Sequence, residues 1–575
     1  MLPEVNVRTE SEALIQAIRD GIIGRDRVIE GPFGPRRVTY ADYTASGRSL
    51  AFIEQFMIEE VMPLYANTHT ETSGTGLQTS HFRDDARVIV HESLGCGDED
   101  VVLFCGSGAT GAINKLIDIL NMRIPRDLDE RHGLSQHIPA DARPVVFIGP
   151  YEHHSNELPW RECVADVVVI DEDADGLIDL QALEEELVRY AARPLKIGSF
   201  SAASNVTGIG SKTGEIARLL HQHGALSFWD FAAAGPYVDI EMNMVLPGPD
   251  GELAYKDALF LSPHKFIGGP GTPGILAMKR RLVTNQVPST PGGGTVSYVN
   301  SLDHRYVDDP VRREEGGTPD ILGSIRAGLV FQLKDAVGSE AIREREHSFI
   351  RRAVASWGRN PKIRILGNPD KWRLSIVSFV VRHGEGQFLH HNFVVALLND
   401  LFGIQCRGGC SCAGPYGHRL LGIDLKHSRE FEREIVKGGG GIKLGWARLN
   451  FNYFISERTF DFLLAAVHFV AEHGWKLLPL YRFSAESGTW VHRDRTNHST
   501  LSLHDLAYTS GHLEYASFRR TAPESLLKRY LIEAERIVES VPDVETDVPA
   551  MSSGFSSLRW FPLPDDARSP ETAEN

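Results

Sequence analysis

Between about residues 100 and 280, short apolar runs alternate with amphipathic stretches, and few architectures accommodate that rhythm. The runs are Val101–Phe104, Pro144–Ile148, Val167–Ile170, Lys196–Phe200, Leu226–Trp229, Ala258–Leu261 and Gly274–Met278. Helical spacing separates several of them, at Ala112–Ile124, Leu180–Ala191 and Thr213–His223. A strand that feeds a helix and then another strand packs as a parallel crossover unit. The expectation is an α/β domain with a mainly parallel seven-stranded sheet flanked by helices. In such sheets ligands bind outside the carboxyl ends of the strands, so a functional motif should follow a strand directly.

Beyond this region the pattern changes. A long helix at Ile321–Val337 leads toward a smaller α+β unit, with strands at Leu374–Val381 and Lys443–Phe451 and helices at Asn392–Phe402 and Glu457–Glu472. The expected division is 1–39 as an N-terminal segment whose helix, Glu10–Asp20, packs on the small domain, 40–335 as the large domain, 336–480 as the small domain and 481–575 as an extension. That extension carries a helix over Pro523–Val541, and its Pro/Ser/Asp/Glu-rich tail from Pro542 reads as disordered. A formal charge of −16 argues against a nucleic-acid partner. No apolar run reaches the ~18 residues of a membrane span, and the start lacks a secretory pattern. Six cysteines are too sparse for a disulfide scaffold, so a cytoplasmic protein is expected. Cys406, Cys410 and Cys412 cluster, but Cys-x-Cys without a matched second pair is a weak metal pattern. Thiol chemistry leads, and no metal is expected.

Five segments follow strands directly. Cys105-Gly106-Ser107-Gly108-Ala109-Thr110-Gly111 opens a helix and is either a phosphate cradle or a plain capped glycine turn. Tyr151-Glu152-His153-His154-Ser155-Asn156 offers a histidine that stacks, transfers protons or simply caps a helix. Ala203-Ser204-Asn205-Val206 offers an amide or is a turn. Asp230 ends an apolar strand, where burial is costly unless a cation pairs with it. Lys265, in Ser262-Pro263-His264-Lys265-Phe266-Ile267-Gly268, is a candidate Schiff-base nucleophile at a strand mouth.

Taken in order, these segments resemble the class V aminotransferase superfamily, which has the pyridoxal-phosphate fold type I. The likeness is closest to the cysteine desulfurase and selenocysteine lyase branch. Further matching strings are Glu315-Gly316-Gly317-Thr318-Pro319, Arg407-Gly408-Gly409-Cys410-Ser411-Cys412-Ala413-Gly414-Pro415 and Arg448-Leu449-Asn450-Phe451. The resemblance implies pyridoxal 5'-phosphate held by Lys265 as a Schiff base, with Asp230 on the ring nitrogen and His153 stacked on the ring. It further implies Asn205 at the ring hydroxyl or the substrate carboxylate, and Gly108, Ala109, Thr110, Ser262 and His264 around the phosphate. Thr295 matches a loop that reaches the neighbouring subunit's phosphate, which implies a homodimer. Arg448 is implied to clamp the substrate carboxylate with Arg407 nearby, and Cys412 to accept sulfur from L-cysteine, or a related thiol or selenol amino acid, as a persulfide. A sulfur-acceptor protein would be a partner.

Departures from the pattern bear on the reaction. Ala233 replaces a glutamine that contacts the ring hydroxyl, Gly108-Ala109-Thr110 loses one hydroxyl, and the Cys410-Ser411-Cys412 string replaces the usual pair of histidines, with Cys410 a resolving or spare thiol. The alternatives are a class V aminotransferase, an epimerase or another C–S lyase on the same site without a persulfide, and a non-enzymatic scaffold on a degenerate fold.

Overall fold

All seven expected strands form one sheet in the computed structural model, which describes residues 4–68, 72–384, 386–494, 501–509, 511–517, 519–542, 544, 546 and 551–567. They are β1 (Asp100–Cys105), β2 (Val145–Ile148), β3 (Asp166–Val169), β4 (Lys196–Ser201), β5 (Leu226–Asp230), β6 (Ala258–Leu261) and β7 (Gly274–Lys279). Their spatial order is β1-β7-β6-β5-β4-β2-β3. Neighbours from β6 to β3 pair in parallel, whereas β7 is antiparallel to both β1 and β6. The fold-class expectation is met, with helices α1 (Gly108–Ile119), α2 (Leu180–Arg189) and α3 (Thr213–Gln222) between strands. Helix α1 starts a turn earlier than its periodicity predicts, because the glycine turn runs straight into it. It stops earlier too, where Asn121 adopts a left-handed φ of 54°. The core under α1 joins Ile113, Leu116 and Ile117 to Leu103, Val146, Phe228, Phe260 and Leu276.

Two compact units divide the chain. The first comprises Met1–Ile23, Tyr43–His347 and Asp370–Ser375, and the second Gly24–Asp42, Ser348–Pro369 and Ile376–Asn575. The N-terminal helix, Glu4–Gly21, therefore belongs with the large sheet and not with the small domain: Ser11 Oγ donates to the Val337 carbonyl at 3.1 Å. Helix α4 (Ile321–Val337) also stays in the first unit, packed on the helix Gly74–Ser93.

The second unit builds a sheet from β8 (Ile363–Ile365), β9 (Ile376–His383), β10 (Gln387–Phe388), β11 (Arg407–Gly409) and β12 (Trp446–Asn450), in the order β8-β9-β12-β11 with β10 on β9. Strand β9 begins two residues later than expected, since Leu374 belongs to the first unit and its amide donates to the Gly208 carbonyl at 2.8 Å. Helices α5 (His391–Phe402), α6 (Glu457–His473) and α7 (Leu527–Glu539) cover the sheet.

The described residues between 481 and 567 are not a separate appendage. Tyr481, Phe483, Trp490, Leu527, Tyr530, Phe555 and Phe561 share one buried core with Phe393, Leu397, Val467 and Val470. The tail, expected to be disordered from Pro542, forms a helix at Ser553–Leu558 and lays Trp560 across the second unit. Trp560 Nε1 donates to the Ile442 carbonyl at 3.0 Å. Composition missed this because a few aromatic anchors outweigh a polar background. The part of that expectation covering residues 543, 545, 547–550 and 568–575 lies outside the described residues. Among the described residues no helix is long and apolar enough to cross a membrane.

Trp560 stacks on the imidazole of His390, with centroids 5.4 Å apart, and His390 stacks on His391 at 4.2 Å. Burial lowers both pKa values, that of His391 from 6.5 to about 3. Between those values the unfolded chain binds more protons than the folded one, so stability is lost as pH falls below 6.5. Thermal melting of the full chain should drop steadily from pH 7 to pH 4, and His391→Asn should flatten that slope. Identical slopes would show that this histidine is not buried in its neutral form.

Candidate active site

The glycine turn after β1, the loops after β2 and β4, Asp230 at the end of β5 and the turn after β6 all lie at carboxyl ends of strands. Register brings them together, since Ser201 pairs with Asp230 and Asp230 with Phe260 across adjacent strands. Asp230 is 5% exposed. Burial pushes its carboxyl above the usual range, opposed by the Ala232 amide and by the charge of Lys265. Lys265 closes a 3-10 turn, Pro263–Lys265, immediately beyond β6. That turn is clamped from the other side: the Gly47 amide and Ser46 Oγ donate to the His264 carbonyl at 2.8 and 3.2 Å. A Cβ on Gly47 would stand 1.9 Å from the Phe266 carbonyl oxygen, so only glycine permits this approach.

The glycine turn meets the same lysine turn. Ser262 Oγ accepts from the Ala109 amide at 2.8 Å. Gly108 has φ +56°, and a Cβ there would lie 2.7 Å from Ser262 Oγ and 3.6 Å from His264 Cδ2. Ser107 makes no side-chain cap on the twelve-residue α1. Burial, reinforced by Lys265, lowers the His264 pKa to about 4, so its imidazole is neutral at pH 7. An open cleft of about 760 Å³ reaches Gly106, Ser107, Gly108 and His264, with Lys115 and Glu315 also among its lining residues. Asp230 and Lys265 do not line it.

Thr110 Oγ1 lies 2.6 Å from Ser155 Oγ, which lies 3.0 Å from His153 Nδ1. His153 caps its own turn, because the Ser155 amide donates to Nδ1 at 3.1 Å. An accepting Nδ1 leaves the ring proton of the neutral imidazole on Nε2. Asn205 is buried beside the turn in which Ser204 Oγ accepts from the Val206 and Thr207 amides. Thr295 is fully buried and donates to the Gly292 carbonyl at 2.7 Å, so its hydroxyl closes its own loop in this chain.

Sequence reading assigned no role to Glu152, which is buried under the strand ends. It accepts from the Gly149 and Ser201 amides, Asn156 Nδ2 and Ser201 Oγ, at 2.6–3.2 Å. Burial still pushes its carboxyl up to about 7, with Asp230 adding to the shift. The signal was a carboxylate between Tyr151 and His153, directly after a strand.

In the second unit Arg407 and Arg448 face each other across β11 and β12. Both reach Asp42: Arg448 Nη2 to Oδ1 at 3.0 Å and Arg407 Nε to Oδ2 at 3.4 Å. Asp42 also went unnoticed in the sequence, being far from either arginine along the chain. Burial lowers the Arg448 pKa, opposed mainly by Asp42 and also by Cys412, which places the thiol within electrostatic reach of this guanidinium. Cys410 and Cys412 are exposed. Ser411 and Cys412 have φ of 52° and 57°, a left-handed conformation that costs residues other than glycine about 1 kcal/mol each. Burial raises the pKa of the third cysteine, Cys406, which marks it as an inert thiol.

A family model described as aminotransferase class-V matches residues 39–424, a range that includes Lys265 and Cys412 but not Arg448. A probable cysteine desulfurase of Halalkalibacterium halodurans is 29% identical over 66% of this chain and 84% of its own length. A cysteine desulfurase of Dickeya dadantii is 26% identical over 66% and 84%. Among solved structures, a cysteine desulfurase from Thermococcus onnurineus superposes with a TM-score of 0.59 at 22% identity, covering 76% of this chain and 95% of that one. The Escherichia coli cysteine desulfurase CsdA gives 0.56 at 21%, covering 75% and 94%.

Removing the carboxylate that pairs with a buried arginine leaves an uncompensated charge. Asp42→Asn should therefore destabilise the second unit by on the order of 3 kcal/mol, read as a lower urea midpoint. An unchanged midpoint would show that the pair adds no net stability.

Proposed function

The chain belongs to the class-V aminotransferase family, and from that premise we propose that it is a pyridoxal-phosphate-dependent cysteine desulfurase that converts L-cysteine to alanine and collects the sulfur on Cys412. The observation that carries this reading is the buried Asp230 within electrostatic reach of Lys265 at adjoining strand ends. A buried carboxylate is stable where a cation completes it, and the protonated ring nitrogen of the cofactor is such a cation. The cradle fits as well: Gly108 has no room for a side chain beside Ser262 and His264, and the first turn of α1 is tied to Ser262 through the Ala109 amide.

Gly108, Ala109, Thr110, Ser262 and His264 would hold the phosphate. Neutral His264 serves there as a hydrogen-bond donor or acceptor. Asp230 would hold the ring nitrogen, His153 would lie on the ring face, and Asn205 would meet a polar substituent of the ring or the substrate carboxylate. When bound, the cofactor supplies an aldehyde for covalent attachment and a protonated ring that accepts the electrons left by Cα deprotonation. Lys265 Nζ would anchor it and afterwards move the substrate Cα proton. Arg448 and Arg407 would bind the substrate carboxylate, taking it in exchange for part of their pairing with Asp42. The Cys412 thiolate would attack the substrate Sγ, breaking its bond to Cβ and leaving a persulfide on the protein.

A homodimer belongs to this reading. Beside Thr295, the hairpin Val296–Val299 and His304–Tyr306 exposes Tyr298, Val299 and Leu302, an apolar surface suited to a second copy. A sulfur-acceptor protein and a reducing, cytoplasmic compartment also fit two exposed free thiols. Ala233, lacking the amide that the desulfurase pattern puts at this position, favours the second reading of transamination or C–S lysis without a persulfide.

One assay separates the two. With L-cysteine and a thiol reductant, the wild type should form alanine and sulfide in equal amounts, and Cys412→Ser should lose about 100-fold or more of both. Full alanine output from Cys412→Ser, or keto acid in place of alanine, would overturn the desulfurase reading.

A further inference from the structure

Cys410 is not absorbed by the function proposed above, and it shares one turn with Cys412. The Ala413 amide donates to the Cys410 carbonyl at 3.0 Å, closing a four-residue turn. Its two central residues, Ser411 and Cys412, both have positive φ, the pattern of a type I′ turn. Strand β11 delivers Cys410 into that turn and the helix Gly414–Leu421 follows it. Ser411 between them is buried, while both cysteines are exposed. Two chain steps span at most about 7 Å when fully extended, and a turn is shorter. The Cα atoms of Cys410 and Cys412 therefore fall in the range of roughly 4.4–6.8 Å that a disulfide bridges. An unstrained reason for two such residues to hold left-handed backbone is absent from the composition of the turn, which contains no glycine between Gly409 and Gly414.

We propose that Cys410 is the resolving thiol of Cys412, so that the pair releases sulfur as sulfide through an internal disulfide. This rests on the desulfurase reading. The step balances: the Cys412 persulfide and the Cys410 thiol give one disulfide between the two Sγ atoms and one molecule of hydrogen sulfide. The Cys410 thiolate attacks the inner sulfur of the persulfide, forming the new S–S bond as the bond to the outer sulfur breaks. The outer sulfur leaves as hydrosulfide and takes the proton that Cys410 gave up. The outer sulfur is reduced as the Cys410 sulfur is oxidised, the Cys412 sulfur having reached that oxidation level when the persulfide formed, so no other oxidant enters. An external dithiol then reduces the disulfide by exchange and restores both thiols. The chain would thus couple each sulfide released to the oxidation of one dithiol, which reduces the protein and takes up no sulfur itself, so sulfur would leave this site as sulfide.

The test is a single turnover of holoenzyme with L-cysteine and no reductant, followed by alanine assay, alkylation and peptide mass mapping. Wild type should form alanine, release sulfide and yield a 410–412 peptide that has lost two hydrogens and resists alkylation until a dithiol is added. C410S should instead stop with one extra sulfur, about 32 Da, on Cys412, and its sulfide release should fall at least about tenfold. Wild type that forms alanine but carries the extra sulfur on Cys412, or on Cys410, overturns the inference while leaving the desulfurase reading intact. Wild type that forms no alanine defeats that reading instead. The wild-type map decides the matter even if C410S fails to fold.

Discussion

A carboxylate moved from water into a protein interior loses several kcal/mol of solvation unless something replaces it, and Asp230 stands in that position with 5% exposure. The surrounding residues are arranged to tolerate it. The turn after its own strand supplies the Ala232 amide, the next strand leads to Lys265, and the strand on its other side carries Ser201, which ties Glu152 into the same layer. Two carboxylates are thus buried under one strand-end surface, each pushed upward in pKa by burial, with Asp230 adding to the shift of Glu152. Such a layer is expensive to keep for stability alone. It becomes favourable when a cation sits over Asp230, which is why a protonated pyridine ring suits it better than a neutral ligand.

The second unit states the opposite problem. Arg448 is a buried cation, and Asp42, with Arg407 on its other oxygen, is its counterweight. These two arginines lie on β11 and β12, and β11 runs directly into the turn that holds Cys410 and Cys412. The floor beneath that strand is built partly from the C-terminal segment. Asn392 Nδ2 donates to the Gly488 carbonyl at 2.8 Å, and Trp560 stacks on His391 at 5.9 Å, directly beside the first turn of α5. Residues beyond the family match therefore support the strand from which the turn of Cys410 and Cys412 departs.

Sheet and site were legible to different degrees. Apolar runs four or five residues long, bounded by polar turns, located all seven strands of the large sheet, because burial leaves a continuous apolar signature, and only the edge strand β3 is half-exposed. The strand-end positions of Lys265, Asp230 and the glycine turn were legible because each directly follows such a run or ends it. What the sequence hid was long-range pairing. Asp42 meets Arg448 only through folding, Glu152 looks like a surface residue until Ser201 and Asn156 surround it, and Gly47 shows its purpose only against Phe266. The C-terminal tail was misread for a related reason: Phe555, Trp560 and Phe561 are few, yet each buries a large ring.

With the cofactor bound, Lys265 would be the lysine that carries it, beside Asp230 at the adjoining strand end. Incubation with pyridoxal phosphate, reduction with borohydride and peptide mapping would read this directly. The account predicts one pyridoxyl group per chain, on Lys265, with Asp230→Asn greatly reducing its yield. A label on Lys115, on Lys256 or scattered over surface lysines, or none at all, would contradict it.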